Sequence, residues 1–197
     1  MKKTQKTAMI TIGILLALTV LIIGGFYYIT QKKQTSQEAN PTTEAGKLIK
    51  KNIEDNYPGT PREVLKLYCR ITECMYNDEI KDTELEKLAM QLRILFDDEL
   101  LKKNPPNTFL NGLRTDIESY HENKQRISSY DVQLASETDY ATIKKEKYAT
   151  LKISILLQQT GKKSHFARTN EQFLLRKDNK GRWKIAHWQL AAAEDLK

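Results

Sequence analysis

The sequence predicts an α+β fold: an N-terminal transmembrane helix, then about three helices packed on a curved antiparallel sheet of about four strands. Three observations predict it. The stretch from Ala8 to Ile29, 22 residues, carries no charged side chain. Between Thr60 and His121 apolar side chains recur with the helical period, and from Tyr130 onward they alternate in segments joined by turn-forming residues. Helices followed by strands is the order of the α+β class, and alternation is the mark of a sheet with one buried face.

The uncharged stretch would span roughly 33 Å as a helix, the thickness of a bilayer's hydrocarbon core. Lys2, Lys3 and Lys6 precede it, Lys32 and Lys33 follow it, and Tyr27 and Tyr28 sit at its far end, where aromatic rings favour the interface. A cleaved secretory signal would have a shorter apolar region closed by a small-x-small site, and this one ends Phe26-Tyr27-Tyr28-Ile29. The expectation is an uncleaved anchor at residues 8–29 in contact with the lipid bilayer. Residues 1–7 would then be cytoplasmic by the positive-inside rule, and the C-terminal domain extracytoplasmic, at the cell membrane. Residues 30–57 are expected to be a linker, partly helical around Leu48, Ile49 and Ile53, and residues 58–197 the domain.

The first firm helix starts at Pro61. Thr60 and Glu63 form a Thr-x-x-Glu capping box, Pro61 suits the first turn, and Val64, Tyr68, Ile71 and Met75 make one stripe. A second helix is expected from about Asp82, its apolar face running Leu85, Leu88, Leu92, Leu95 and Phe96. The acidic run Asp97-Asp98-Glu99 interrupts it as a solvated surface patch, and Asn104-Pro105-Pro106-Asn107 stops it. Phe109 to His121 predicts a third. Strands follow around Tyr130–Leu134, Ala149–Leu157, Lys163–Lys177 and Arg182–Gln189, the last two joined by the turn Asp178-Asn179-Lys180-Gly181.

Charge narrows the partners. The chain carries a net +7, but three of those charges precede the apolar stretch, leaving four among interspersed signs over the rest. That is an ordinary soluble surface and not the basic stripe of a nucleic-acid binder. Cys69 and Cys74 stand five apart on one helix, on different faces, so a bond between them would need the helix broken. No calcium loop, zinc spacing or phosphate-cradling glycine loop occurs, so no metal or cofactor is expected.

The candidate pocket or interface residues are Tyr68, Tyr130, His165, His187, Trp183 and Trp188. A Tyr–His pair inside the fold could polarise a carbonyl or move a proton, but no acid is found partnering an apolar strand face, and no catalytic residue is assigned. Trp183 and Trp188 have opposite parity on one strand, which would let at most one of them face the core.

From Pro61 to Leu190 the pattern resembles the nuclear-transport-factor-2-like superfamily, a cone-shaped α+β fold. The resemblance rests on helix order, on long paired strands around Lys147–Gln158 and Lys163–Lys177, and on the closing Asn179-Lys180-Gly181-Arg182-Trp183-Lys184-Ile185, a turn followed by Trp-x-Ile. The whole chain also resembles bacterial proteins with one membrane helix and an extracytoplasmic domain of this fold, a layout shared by inner-membrane subunits of type IV secretion channels. That superfamily holds isomerases, cyclases, hydrolases and many non-enzymes, so the resemblance implies a fold and leaves activity open. The expectation is a membrane-anchored binding or assembly module, with an envelope protein or a second copy as partner. The alternative is a small-molecule-binding or enzymatic cone.

Overall fold

The computed structural model describes residues 42–161 and 164–191. The expected anchor at residues 8–29 lies outside them. Among the described residues no helix is long and apolar enough to cross a membrane. Among the described residues there are five α-helices and a five-stranded antiparallel sheet: α1 (Glu44–Lys50), α2 (Pro61–Asn77), α3 (Asp82–Arg93), α4 (Asp98–Lys103), α5 (Pro106–Glu122), β1 (Gln125–Val132), β2 (Asp139–Ile143), β3 (Glu146–Gln159), β4 (His165–Lys177) and β5 (Trp183–Leu190).

Helix α2 forms as its cap dictates. The Thr60 side chain accepts from the Glu63 amide, and the Glu63 carboxylate takes the Thr60 amide at 3.0 Å. Its buried surface is wider than one stripe: Leu65, Leu67, Cys69 and Cys74 join Val64, Ile71 and Met75. The reason is that α2 lies between the sheet and other helices, packing on β1, β3 and β5 as well as on α1, α3 and α5. Thr43 caps α1 by accepting from the Gly46 amide at 3.0 Å, and Leu48 and Ile53 are fully buried in the same core. Gln91 of α3 ties the end of α1 down by donating to the Ile49 and Lys51 carbonyls.

The expected second helix is two. It stops at Arg93, and residues Leu95 to Asp97 run as an extended piece that pairs with β5: the Ile185 amide donates to the Leu95 carbonyl at 2.8 Å, and the Asp97 amide to the Ile185 carbonyl at 2.9 Å. This covers a strand edge that would otherwise expose unpaired main chain. Asp97 is also not solvated as expected. It is 6% exposed, caps α4 by accepting from the Leu100 amide at 2.8 Å, and pairs with Arg176 at 2.7 Å.

The sheet order is β1–β3–β4–β5, with β2 also paired to β3. The long strand β3 holds β2 along Glu146–Thr150 and β1 along Ile153–Gln159. One face carries Ala149, Leu151, Ile153, Phe173, Leu175 and Ile185, all fully buried. Strand β2 goes unseen in the sequence because every residue in it is exposed and nothing alternates. Its turn to β3 uses Lys144 and Lys145 at positive φ (51° and 72°), where glycine or asparagine would have signalled a hairpin. The β4–β5 turn uses Gly181 (φ 78°), with the Asp178 carboxylate accepting from the Lys180 and Arg182 amides.

A bulge corrects the expectation about the tryptophans. Leu175 pairs with Ile185 but Leu174 pairs with His187, which leaves Ala186 unmatched. Parity resets there. Trp183 and Ile185 before the bulge and Trp188 after it share the face of Leu175 and Phe173, because cross-strand partners lie on one face. Trp183 is accordingly 7% exposed, and Trp188 packs against the core.

Candidate functional site

Between α2, α5 and the β5 end of the sheet lies a cleft of about 410 Å³. Three accidents of local sequence build it. Tyr68, Thr72 and Tyr76 recur one turn apart on α2 and present one row. Gly112 and Asp116, also one turn apart on α5, face them. The bulge at Ala186 then turns Trp188 inward to form the floor, stacked on Phe173 at 5.9 Å between centroids. Phe96, from the extended piece before α4, lies 5.8 Å from Trp188 and edge-on to Phe109 at 5.6 Å. Tyr68 meets Phe173 edge-on at 5.2 Å. The Tyr76 hydroxyl donates to the Asp116 carboxylate, and its ring packs against Tyr120.

Of the six residues marked in the sequence, Tyr68 and Trp188 line this cleft. Trp183 is buried further along β5, against Tyr140 and under the Lys177 ammonium. Tyr130 is half-buried beside Arg70 and Lys66 in a shallow recess. His165 is exposed at the start of β4, and His187 is exposed on the face opposite Phe173. The two tyrosines and two histidines are therefore not brought together, and no Tyr–His pair forms.

Sequence reasoning missed an acid on the helix-facing side of a strand. Glu171 has the parity of Phe173 and Leu175 and pairs with the buried Ile153 across β3, so it lies on that face. The signal was available: Glu171-x-Phe173-x-Leu175 is one alternating row. Burial holds the Glu171 carboxyl above the ordinary carboxylate range. Its charge in turn adds to the burial that pushes the Tyr68 hydroxyl up. The folded state thus holds the Glu171 proton more tightly than the unfolded chain does. Stability from the neutral form is fully present below the unfolded value and is lost as pH rises through the raised folded one. Glu171→Gln is expected to raise Tm at pH 7, with the gap to the wild type closing as the pH falls through the raised folded value and gone by about pH 4. Melting curves over that range check it; a gap independent of pH would show that the ionised carboxylate costs nothing there.

A second recess of about 550 Å³ lies by the β4–β5 turn and α4. It is rich in cations, but its arginines and Lys184 are engaged within the fold. Arg176 binds Asp97 and Glu99, and Arg182 binds Glu54 and Asp178. The largely buried Lys184 donates to the Ile94 carbonyl at 2.5 Å and lies 4.3 Å from the centre of the Tyr57 ring. Burial lowers the Lys184 pKa. With those donors committed, the recess offers no free guanidinium fork to an anion.

Cys69 and Cys74 are both free and buried, and burial pushes each thiol up to about 12, far from a reactive thiolate at neutral pH. Among the described residues no cluster of three or more His, Cys, Asp or Glu side chains is placed to hold a metal ion.

Fold and cleft together define an α+β protein with helices over one face of a single antiparallel sheet and an aromatic recess between the layers. The chain belongs to the family DUF6715, described as a domain of unknown function, whose profile matches residues 1–188. No curated protein matches it. Among solved structures it is similar to the intermembrane space region of the chloroplast protein ARC6 (12% identity, 67% of this chain and 94% of that one, TM-score 0.33). It is also similar to CagV, a VirB8 homologue of the type IV secretion system from Helicobacter pylori (14%, 61% and 90%, TM-score 0.35). A third is the helical cell shape determining protein Pgp2 from Campylobacter jejuni (13%, 66% and 42%, TM-score 0.36).

Proposed function

We propose that this protein is a membrane-anchored binding or assembly module that works outside the cytoplasm, with a domain of the nuclear-transport-factor-2-like kind and no catalytic activity. The observation that carries the binding reading is the cleft itself: a concave recess between layers, lined by aromatic and aliphatic side chains with interspersed hydroxyls and one carboxylate, is the ordinary form of a ligand site. Its occupant is a small ligand or a side chain of an envelope partner or second copy. The anchor rests on the uncharged Ala8–Ile29 stretch and its flanking lysines.

One observation favours a second reading, an enzymatic cone. Glu171, with its raised carboxyl, stands near Tyr68 as a proton acceptor could. Binding is preferred because His165 and His187, the histidines expected to complete such chemistry, are exposed elsewhere on the sheet.

Cell fractionation tests the anchored half. The chain is expected to remain in the membrane pellet through alkaline washing. Protease added to intact spheroplasts is expected to digest the domain while an N-terminal tag stays protected. Release by alkali, or a domain protected until the membrane is opened, overturns it.

A further inference from the structure

The cleft has a charge character that its ring content alone does not show. Its walls hold one ionisable carboxylate, Asp116, and no lysine or arginine. The Tyr76 hydroxyl fixes one oxygen of that carboxylate and leaves the other lone pairs free to accept. A second acid, Glu171, stands beyond Tyr68. An anion entering here would meet repulsion and find no cationic donor in the lining. A neutral apolar guest would gain nothing from Asp116, whose carboxylate is exposed at the rim. A cation with an apolar body can meet both the carboxylate and the aromatic lining formed by Tyr68, Phe109 and Trp188. The molecule already places one cation on this system from outside: the Arg93 guanidinium lies 5.6 Å from the centre of the Phe109 ring while donating to the Asn104 carbonyl.

Gly112, exposed at the rim of the cleft, supplies a position at which the site can be filled. It sits in mid-helix, where glycine costs about 1 kcal/mol relative to alanine. A Cβ built on it would meet nothing within 4 Å, so no neighbour requires its absence. What the missing side chain leaves is open space in the cleft wall.

We propose that the cleft is a receptor site for a small organic ammonium ion, quaternary or alkyl, seated on Tyr68, Phe109 and Trp188 with its charge against Asp116. This rests on the binding reading above and names the ligand class. The same chemistry could arrive as a free amine or as the ammonium of a partner's lysine.

The test is calorimetric titration of the full chain in a maltoside micelle, because a phosphocholine detergent would itself compete. The probes are choline, its uncharged isostere 3,3-dimethylbutan-1-ol, and n-butylammonium. Choline or n-butylammonium is expected to bind at least about ten-fold tighter than the neutral isostere, which corresponds to about 1.4 kcal/mol. Preference for n-butylammonium identifies the lysine-like source, and preference for choline the free quaternary one. Asp116→Asn, which keeps an acceptor for Tyr76, is expected to erase the charge preference without lowering Tm. Gly112→Leu is expected to abolish binding of all three probes with Tm equal or higher, since leucine favours the helix and fills the cleft. Isostere binding as tight as that of the ammonium ions, blocked by Gly112→Leu, overturns the cation inference and leaves the binding module standing. No saturable binding of either ammonium ion overturns it too, while the fractionation result judges the anchor separately.

Discussion

Replacing Phe173 with alanine is expected to destabilise the domain by about 3–5 kcal/mol, the range for removing a buried aromatic ring. Phe173 is fully buried in the middle of β4. It stacks on Trp188 at 5.9 Å, takes the edge of Tyr68 at 5.2 Å, and pairs across the ladder with Leu151. Those neighbours are fixed by strand register and by α2, so they cannot close over the gap, and the cavity term adds to the lost transfer energy. For a domain of this size each kcal/mol moves Tm by roughly 2–4 °C, so a fall of about 10 °C is expected. Trp188 would lose its stacking partner, and its emission should shift to longer wavelength in the folded state. Phe173→Leu, which keeps most of the volume, is expected to lose far less. A cost below about 1 kcal/mol for alanine would mean that β4 does not present Phe173 to the helices, and the bulge assignment on β5 would fall with it.

What the sequence disclosed follows from which forces are local. The α2 cap is written in four consecutive residues, Thr60 to Glu63, and forms as read. The rows of β3 and β4 are also legible, because a half-buried strand must alternate, and Ala149, Leu151 and Ile153 do. The break between α3 and α4 was legible only as an acidic interruption, and its place at Arg93 was not. Leu95 and Phe96 continue the apolar helical row, and only the need of β5 for an edge partner pulls them out of the helix. That is a contact between segments about 90 residues apart, and no window along the chain contains it. Strand β2 was invisible for a different reason: a fully exposed edge strand needs no hydrophobic pattern. The bulge at Ala186 changed the meaning of every later residue on β5, and parity counting has no way to sense it.

The candidate site shows the same division. Tyr68 and Trp188 were marked because aromatic residues on core faces are conspicuous. Phe96 was read as part of an apolar helical face and Phe109 only as the start of a helix. Asp116 escaped because it flanks the apolar row of α5 rather than lying in it, and its role depends on Tyr76 from another helix. Glu171 could have been found, since its parity with Phe173 and Leu175 is plain in the sequence. It was passed over because the strand also carries polar residues of the opposite parity, Asn170 and Gln172. An acid on the helix-facing side of a sheet is the more informative exception, because burying a carboxylate carries a free-energy cost that a surface acid does not have.

Arg176→Met is the second substitution expected to have a large effect, about 2–4 kcal/mol, even though Arg176 is itself one-fifth exposed. The damage falls on its partner. Asp97 is 6% exposed and depends on two donors, the Arg176 guanidinium at 2.7 Å and the Leu100 amide at 2.8 Å. Without the guanidinium a buried carboxylate keeps one main-chain hydrogen bond and no counter-charge. Asp97 also stands where the chain leaves its pairing with β5 and starts α4, so strain there would pass to the Ile185 pairing. Asp97→Asn keeps an acceptor for the α4 cap and loses only the charge, so it is expected to cost less than Arg176→Met. Combining the two removes the uncompensated charge. The double variant is therefore expected to be more stable than Arg176→Met alone, although it carries one substitution more. Urea titrations of the four proteins measure this coupling. Strictly additive losses would show that Asp97 and Arg176 act separately, and that the cap alone holds α4 to the edge of the sheet.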